Sequence, residues 1–244
     1  MFEEPRHVSN SLNVVFPRVQ EIRRLTNEFE DMLSGRYGQP QTIPVPDDLD
    51  PQVPRLIFQS LGGHSQIVVS QVSIALNVKY DGEYNTDAAM RLAYLQERVP
   101  LVYDLCELAK AQTAFTGLTG RVRLVSTADD VATLDRLVTI LGVSNAPASL
   151  SEVSLRLSSM IDGRFFDNIT VQSYREWLTD SAVPVKRFSA ATAESHGVEL
   201  VHDFNDRFAY NEQADYLTSQ EAGLEIVARA YDSLDAWALR LRGE

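Results

Sequence analysis

The histidines are the first residues to weigh for chemistry, because an unperturbed imidazole titrates near neutral pH and also binds metals. The chain has four of them, and His202 is directly followed by Asp203. Such a pair occurs in metal phosphohydrolases, which need further His and Asp ligands on helices. Here the surrounding alternation predicts a strand, where successive side chains point to opposite faces. The sequence therefore predicts no metal site and no catalytic residue at this pair.

Three arginines could instead form a site for an anion or a nucleotide. Arg121 and Arg123 share one face of a predicted strand, and Arg156 lies on another predicted strand. Guanidinium groups bind phosphate and carboxylate groups with paired hydrogen bonds. If these strands are neighbours, the candidate ligand contacts are Arg121, Arg123, Arg156 and His202. The alternative is that the arginines form salt bridges with surplus acids on a solvated sheet face.

No other motif indicates an enzyme or a cofactor. Cys106 falls at an apolar position of a predicted helix, which favours a buried structural thiol over a nucleophile. The chain lacks a Gly-x-Ser-x-Gly elbow, a Walker lysine motif and Gly-x-Gly-x-x-Gly. Residues 116–120 contain two glycines without a following lysine, so we expect a loop that leads into a strand. This favours a non-enzymatic protein without a cofactor.

The clearest structural pattern runs from Gln66 to Tyr80. Apolar and polar side chains alternate there, which predicts one long strand with one face toward the core and the other toward water. Strands of parallel sheets are usually covered on both faces, so the alternation indicates an antiparallel sheet. The polar positions are the candidate partner-binding residues, namely Gln71, Ser73, Asn77 and Lys79.

Hairpins and helices are predicted around this strand. Gly62-Gly63 and Asp162-Gly163 predict hairpins, because these residues adopt the positive φ that tight turns need. The helix after the long strand contains Pro100, which cannot donate the usual backbone hydrogen bond, so we expect a kink or a break there. The last helix has one apolar stripe, which could pack on its own sheet or form the seam of a homodimer.

The predicted elements repeat along the chain. The order strand, helix, connection, two or three strands and long helix occurs over residues 1–112 and again over residues 113–244. We therefore predict an α+β fold of two similar halves, each with an antiparallel sheet and a long helix, packed as one unit. The halves share little residue identity, so the predicted internal duplication rests on element order.

The composition limits the classes of partner. The formal charge is −12, from 34 acids against 22 bases. An acidic surface repels phosphate, so we expect neither nucleic acid nor an anionic membrane as a partner, whereas a protein partner is compatible. No apolar run is long enough to span a membrane, the first residues lack the apolar stretch of a signal peptide, and the lone Cys106 has no disulfide partner. These features predict a cytoplasmic protein.

Three segments carry a resemblance to a known family. They are residues 54–60 (PRLIFQS), residues 153–157 (VSLRL) and the closing helix after Asp215-Tyr216. On these segments the chain resembles a sporadically distributed family of uncharacterised bacterial proteins of similar length. A bacterial origin also fits the scarcity of lysine among the bases. The resemblance implies no activity, cofactor or site residue, and its scattered distribution is typical of mobile or defence-associated genes.

These observations together predict a non-enzymatic protein-binding or regulatory protein, in a bacterial conflict or defence system. The alternative is a small-molecule or nucleotide-binding domain with weak hydrolase activity, in which the three arginines and His202 would contact the ligand.

Overall fold

One antiparallel sheet of nine strands organises the chain in the computed structural model, which describes residues 2–147, 149–177 and 188–243. The strands lie side by side in the order β2-β3-β4-β5-β1-β6-β9-β8-β7, and the α+β class with an antiparallel sheet is confirmed. The strands are β1 (Arg6–Val15), β2 (Gln41–Thr42), β3 (Leu56–Gln59), β4 (Ser65–Val69), β5 (Ser73–Lys79), β6 (Phe115–Val125), β7 (Ser154–Ile161), β8 (Phe165–Glu176) and β9 (Ser195–Asn205).

Five α-helices accompany the sheet in the described part of the chain. They are α1 (Thr26–Leu33), α2 (Ala88–Leu108), α3 (Asp130–Ile140), α4 (Arg207–Glu212) and α5 (Gln220–Arg242). The side chains of Asp87, Asp129 and Ser219 accept backbone N–H groups in the first turns of α2, α3 and α5, which satisfies donors that a helix leaves unpaired. Within the described residues, none of the helices combines the length and apolar character needed to cross a membrane.

The core lies between the sheet and one layer of helices. α2 packs on β5 and β1, α5 packs on β6 and β9, and α3 adds to the cover on β9. Alternate strand residues such as Leu76, Leu118 and Leu200 point into this layer and are fully or almost fully buried. A fully buried apolar side chain of this size contributes roughly 1.5–3 kcal/mol relative to an exposed one. The long helices therefore fix which face of each strand is inside.

The strands follow the same order in both predicted halves. In residues 1–112 the first strand, β1, lies beside the last one, β5, followed by β4 and β3. In residues 113–244 the first strand, β6, lies beside the last one, β9, followed by β8 and β7. β1 and β6 pair with each other, so the two sheets form one continuous sheet. The duplication and its boundary stay a prediction.

The segment from Gln66 to Tyr80 is two strands, so the prediction of one long strand is wrong. β4 ends at Val69 and β5 begins at Ser73, and the two pair as a hairpin. The Ser70 hydroxyl accepts the N–H groups of Val72 and Ser73, which closes the turn. The inward positions are odd-numbered in β4 and even-numbered in β5, because the turn shifts the alternation by one residue.

Both predicted glycine hairpins are confirmed, whereas the loop expected at residues 116–120 was wrong, and of the kink or break expected at Pro100 the break is excluded. Gly63 has φ of +77° between β3 and β4, and Asp162-Gly163 has φ of +55° and +60° between β7 and β8. Residues 116–120 are not a loop, because they pair with β1 and β9 inside β6. α2 continues through Pro100, so the helix is not broken there.

The apolar stripe of the last helix is used within the chain. Val227, Tyr231 and Leu234 on α5 are at most 5% exposed against the sheet and α2. Of the two alternatives for this stripe, the structure therefore contains packing on the chain's own sheet. A side chain packed on the core cannot also face a second copy.

Candidate binding face

The side chains of β1 and of β3 to β9 that point away from α2 and α5 form a second face, which we call the open face. α1, α2, α3 and α5 belong to the opposite layer, because their buried residues join the apolar core clusters. Of the described helices, α4 reaches the open face at one end, where Tyr210 contacts Phe115 and Phe208 contacts Phe166. The rest of this face is partly or fully exposed strand surface apart from Gly197, Glu199 and Asn205, which are buried.

An uninterrupted row of polar side chains crosses the open face, with one residue from each of eight neighbouring strands. The pairing registers align them as direct neighbours. We call this set the polar row; in order across the sheet it is Gln59, Gln66, Asn77, Ser11, Thr119, Asp203, Asn168 and Ser158. Its members supply amide and hydroxyl groups, which donate and accept hydrogen bonds, and one carboxylate, which accepts them. The face therefore suits a polar partner.

Parts of the polar row are held in place by contacts among its own members. The Ser11 hydroxyl donates to Asn77 Oδ1 at 2.7 Å, and Asn168 Nδ2 donates to Asp203 Oδ2 at 3.1 Å. Asn205 Nδ2 donates to the same carboxylate at 3.0 Å. Such bonds fix the side-chain rotamers. These groups therefore lose less conformational entropy when a partner binds than freely rotating side chains would.

A second row lies parallel to the polar row, two residues away from it in each strand, and carries positive charge. The registers align Lys79, Ser9 and Arg121, and continue through β9 and β8 to Arg156. Lys79, Arg121 and Arg156 are all exposed, and we call this set the basic row. At roughly 4.8 Å per strand, Lys79 lies about 10 Å from Arg121, and Arg156 lies about 14 Å beyond Arg121.

A concavity deepens the open face where both rows reach β5 and β1. Its volume is about 380 Å³, and its lining includes Ser9, Gln66, Asn77 and Lys79. The lysine in its lining is Lys79, and the His64 imidazole, also in the lining, lies 3.3 Å from Asp81. The Lys79 ammonium has no hydrogen-bond or ion-pair partner among the described residues. The concavity thus offers one uncompensated positive charge surrounded by neutral hydrogen-bonding groups.

A second concavity, of about 530 Å³, also borders β1, and its two arginines face three carboxylates, because Glu194 lies in its lining as well. Arg6 pairs with Glu3 at 2.8 Å, and Arg123 pairs with Glu176, all four residues lying in its lining. Exposed pairs of this kind contribute little to stability but leave little net charge for a ligand. The first concavity is therefore the better candidate for recognising a charged group.

The predicted ligand set of three arginines and His202 does not come together. Arg121 and Arg123 lie on the open face and share the buried carboxylate of Glu199, at 3.7 Å and 3.0 Å. Arg156 lies on the same face, three strands away from β6. His202 lies on the opposite, helix-covered side and is 1% exposed. The cause is register, because Gly120, not Arg121, is the partner of His202.

The four predicted partner-binding residues separate in a similar way. Asn77 and Lys79 lie on the open face, in the polar row and the basic row. Ser73 lies at the turn end of β5, where its hydroxyl is 3.0 Å from that of Ser70. Gln71 is fully buried in the turn, where it accepts from Arg55 and donates to the Gln20 carbonyl. Gln71 therefore cannot contact a partner, because the turn moves it off the strand.

His202 belongs to a small buried polar cluster beneath α5. Its Nε2 atom is 2.6 Å from Asp167 Oδ1, and the Ser233 hydroxyl donates to the other oxygen of Asp167 at 3.2 Å. Burial acts to raise the pKa of Asp167, but the hydrogen bond and charge of His202, with the Ser233 hydroxyl, leave this pKa below its usual value. The aspartate lies between the other two groups, so the order is not that of a Ser-His-Asp triad.

His7 is the second buried histidine, and it also has a structural environment. It is 4% exposed and stacks on Tyr231, with the ring centres 5.8 Å apart. Burial, with the nearby Arg91 guanidinium, lowers the pKa of His7 to about 3, although Asp235 lies 3.8 Å from its Nε2 atom. The imidazole is thus neutral at physiological pH.

The described residues contain no group of three or more His, Cys, Asp or Glu side chains arranged to hold a metal ion. A comparison of the chain with models of known protein families found no match, and neither did a comparison with curated proteins.

Proposed function

We propose that this is a binding protein that holds a protein partner on the open face of its sheet. The observation that carries the proposal is the polar row, which crosses eight strands without an apolar interruption. This continuity gives a partner an unbroken strip of hydrogen-bonding groups across the sheet, parts of which are already held in place by bonds within the row. We further propose that the protein acts in the cytoplasm of a bacterium, in a conflict or defence system. The grounds are the lone Cys106, the composition and the resemblance.

The other contents of the molecule support binding over catalysis. The two buried histidines have structural contacts, since His7 stacks on Tyr231 and His202 contacts Asp167. Burial raises the pKa of the Cys106 thiol to about 12, which leaves it protonated and weakly nucleophilic. A homodimer through α5 is not part of the proposal, since the apolar stripe of α5 packs on the core.

Filling the centre of the polar row is expected to abolish partner binding. Thr119 on β6 is half-buried there, so Thr119→Trp places a large ring across the row. Strands tolerate tryptophan well, so the fold should survive. The measurement is affinity capture from the source organism with tagged chain, followed by identification of proteins retained by the wild type and missing from the variant.

Thr139→Trp is the matched control, because Thr139 is exposed on α3 in the helix layer. The proposal expects this variant to retain the same proteins as the wild type. Retention of one set of proteins by all three chains, with Thr119→Trp folded by circular dichroism, would contradict it.

A further inference from the structure

We infer that the partner presents an extended acidic segment to the open face, with one carboxylate in the concavity beside Lys79. This inference rests on the proposed function and names the chemistry of its partner. A protein of charge −12 would repel an acidic partner over most of its surface, so the attraction must come from a local arrangement of charge.

The charges of the open face differ in sign from those of the whole molecule. Among the described strand residues of this face, five are cations and three are carboxylates. The cations are Arg6, Lys79, Arg121, Arg123 and Arg156, and the acids are Glu176, Glu199 and Asp203. An excess of acids therefore lies elsewhere, which steers an acidic segment toward this face.

The cations of the basic row are also the least neutralised ones. Lys79 and Arg156 have no ion-pair partner among the described residues, and Arg121 has Glu199 at 3.7 Å, a carboxylate that Arg123 holds more closely. Their spacings are about 10 Å and 14 Å, and acidic residues at alternate positions of an extended chain put a carboxylate on one face about every 6.6 Å, at roughly 3.3 Å per residue. A peptide lying across the strands can therefore bring a carboxylate near each cation.

The concavity identifies where the first carboxylate sits. Its neutral donors surround Lys79, and a carboxylate there accepts from the ammonium while the Ser9 hydroxyl and amide groups donate to its second oxygen. A nucleic acid is the competing polyanion, but the rows contain no aromatic side chain on which bases could stack. A protein segment is thus the better fit.

The test uses short synthetic peptides and the full chain. A peptide of alternating Glu and Ser should bind the wild type, and the matched peptide of alternating Gln and Ser should bind at least about tenfold more weakly. Lys79→Gln should lose about the same factor for the Glu peptide and nothing for the Gln peptide. Lys110→Gln, an exposed lysine just after α2, is the control and should bind as the wild type does.

Each alternative outcome overturns the inference. Equal binding of both peptides, or no binding of either, removes the acidic preference, and an unchanged affinity in Lys79→Gln removes the concavity as its anchor. A single-stranded oligonucleotide that binds more tightly than the Glu peptide would assign the face to nucleic acid. If Thr119→Trp loses a cellular partner that Lys79→Gln retains, the proposed function stands and this inference alone fails.

Discussion

Replacing Gly197 by alanine is expected to destabilise the fold by about 3 kcal/mol, as overpacked sites with no room to relax do. Gly197 lies in β9 between Val125 of β6 and Tyr174 of β8. A Cβ atom there would be 2.1 Å from the Leu124 carbonyl oxygen and 3.0 Å from the Ser126 nitrogen. Both are backbone atoms, so the strands must separate to admit the methyl group. Urea unfolding followed by circular dichroism measures the loss.

Gly38→Ala is the matched control for this change. The nearest atom to a Cβ at Gly38 is the Gln59 carbonyl oxygen at 3.8 Å, which is an ordinary contact. The same substitution should therefore change the free energy of unfolding by less than about 1 kcal/mol. Equal stability of the two variants would show that β6 and β9 are not as close at this end as the structure has them.

Replacing Arg55 by methionine is expected to cost about 4.5 kcal/mol and to loosen the proline-rich segment before it, since three charge-assisted hydrogen bonds are lost and each is worth about 1.5 kcal/mol. Arg55 is fully buried, and its guanidinium donates to the Val53 and Leu49 carbonyls and to Gln71 Oε1. Methionine fills similar space without any donor. Urea unfolding and the rate of proteolysis within residues 44–54 are the two measurements.

Arg24→Met is the control for Arg55→Met. The Arg24 side chain is 75% exposed and pairs with Glu21 on the surface, so its loss should change stability by no more than about 1 kcal/mol. If Arg55→Met were as stable as Arg24→Met and cleaved no faster, the guanidinium would not be what holds the segment.

Residue type and alternation were enough to predict the fold class and both glycine hairpins. The hairpins could be predicted because Gly63 and Asp162-Gly163 mark turns through local backbone conformation alone. The antiparallel sheet could be predicted because a sheet with one polar and one apolar face makes polar and apolar residues alternate along each strand. These signals are local, so they survive without knowledge of which strands become neighbours.

The candidate face depends on register, which the sequence does not encode locally. Each member of the polar row, such as Thr119 or Asn168, is an ordinary polar residue of an alternating strand. The row exists because seven pairings align these positions, and a slip of one residue would replace every member. The shift at Ser70 likewise removed Gln71 from the polar face.

Tertiary burial decided the remaining differences. His202 was placed with the arginines because nothing in its neighbours shows which face the helices will cover. Asp167 is 35 residues away in the chain, yet it is the group that His202 contacts. The two glycines of residues 116–120 indicate a loop by composition, but Gly120 faces Leu234 of α5, where a Cβ would come within 3.3 Å of the leucine side chain.

Thiol labelling of two positions in β6, one on each face of the sheet, tests the central claim, that the open face is accessible, most directly. Cys106 is 1% exposed with a raised pKa, so the native chain has little background reactivity. Thr119→Cys lies on the open face and Thr116→Cys faces the core, where Thr116 is fully buried. We predict that the half-buried Thr119→Cys thiol reacts many times faster than the Thr116→Cys thiol, which is strongly protected relative to the urea-unfolded chain. Protection of both thiols to the same degree would contradict an open face.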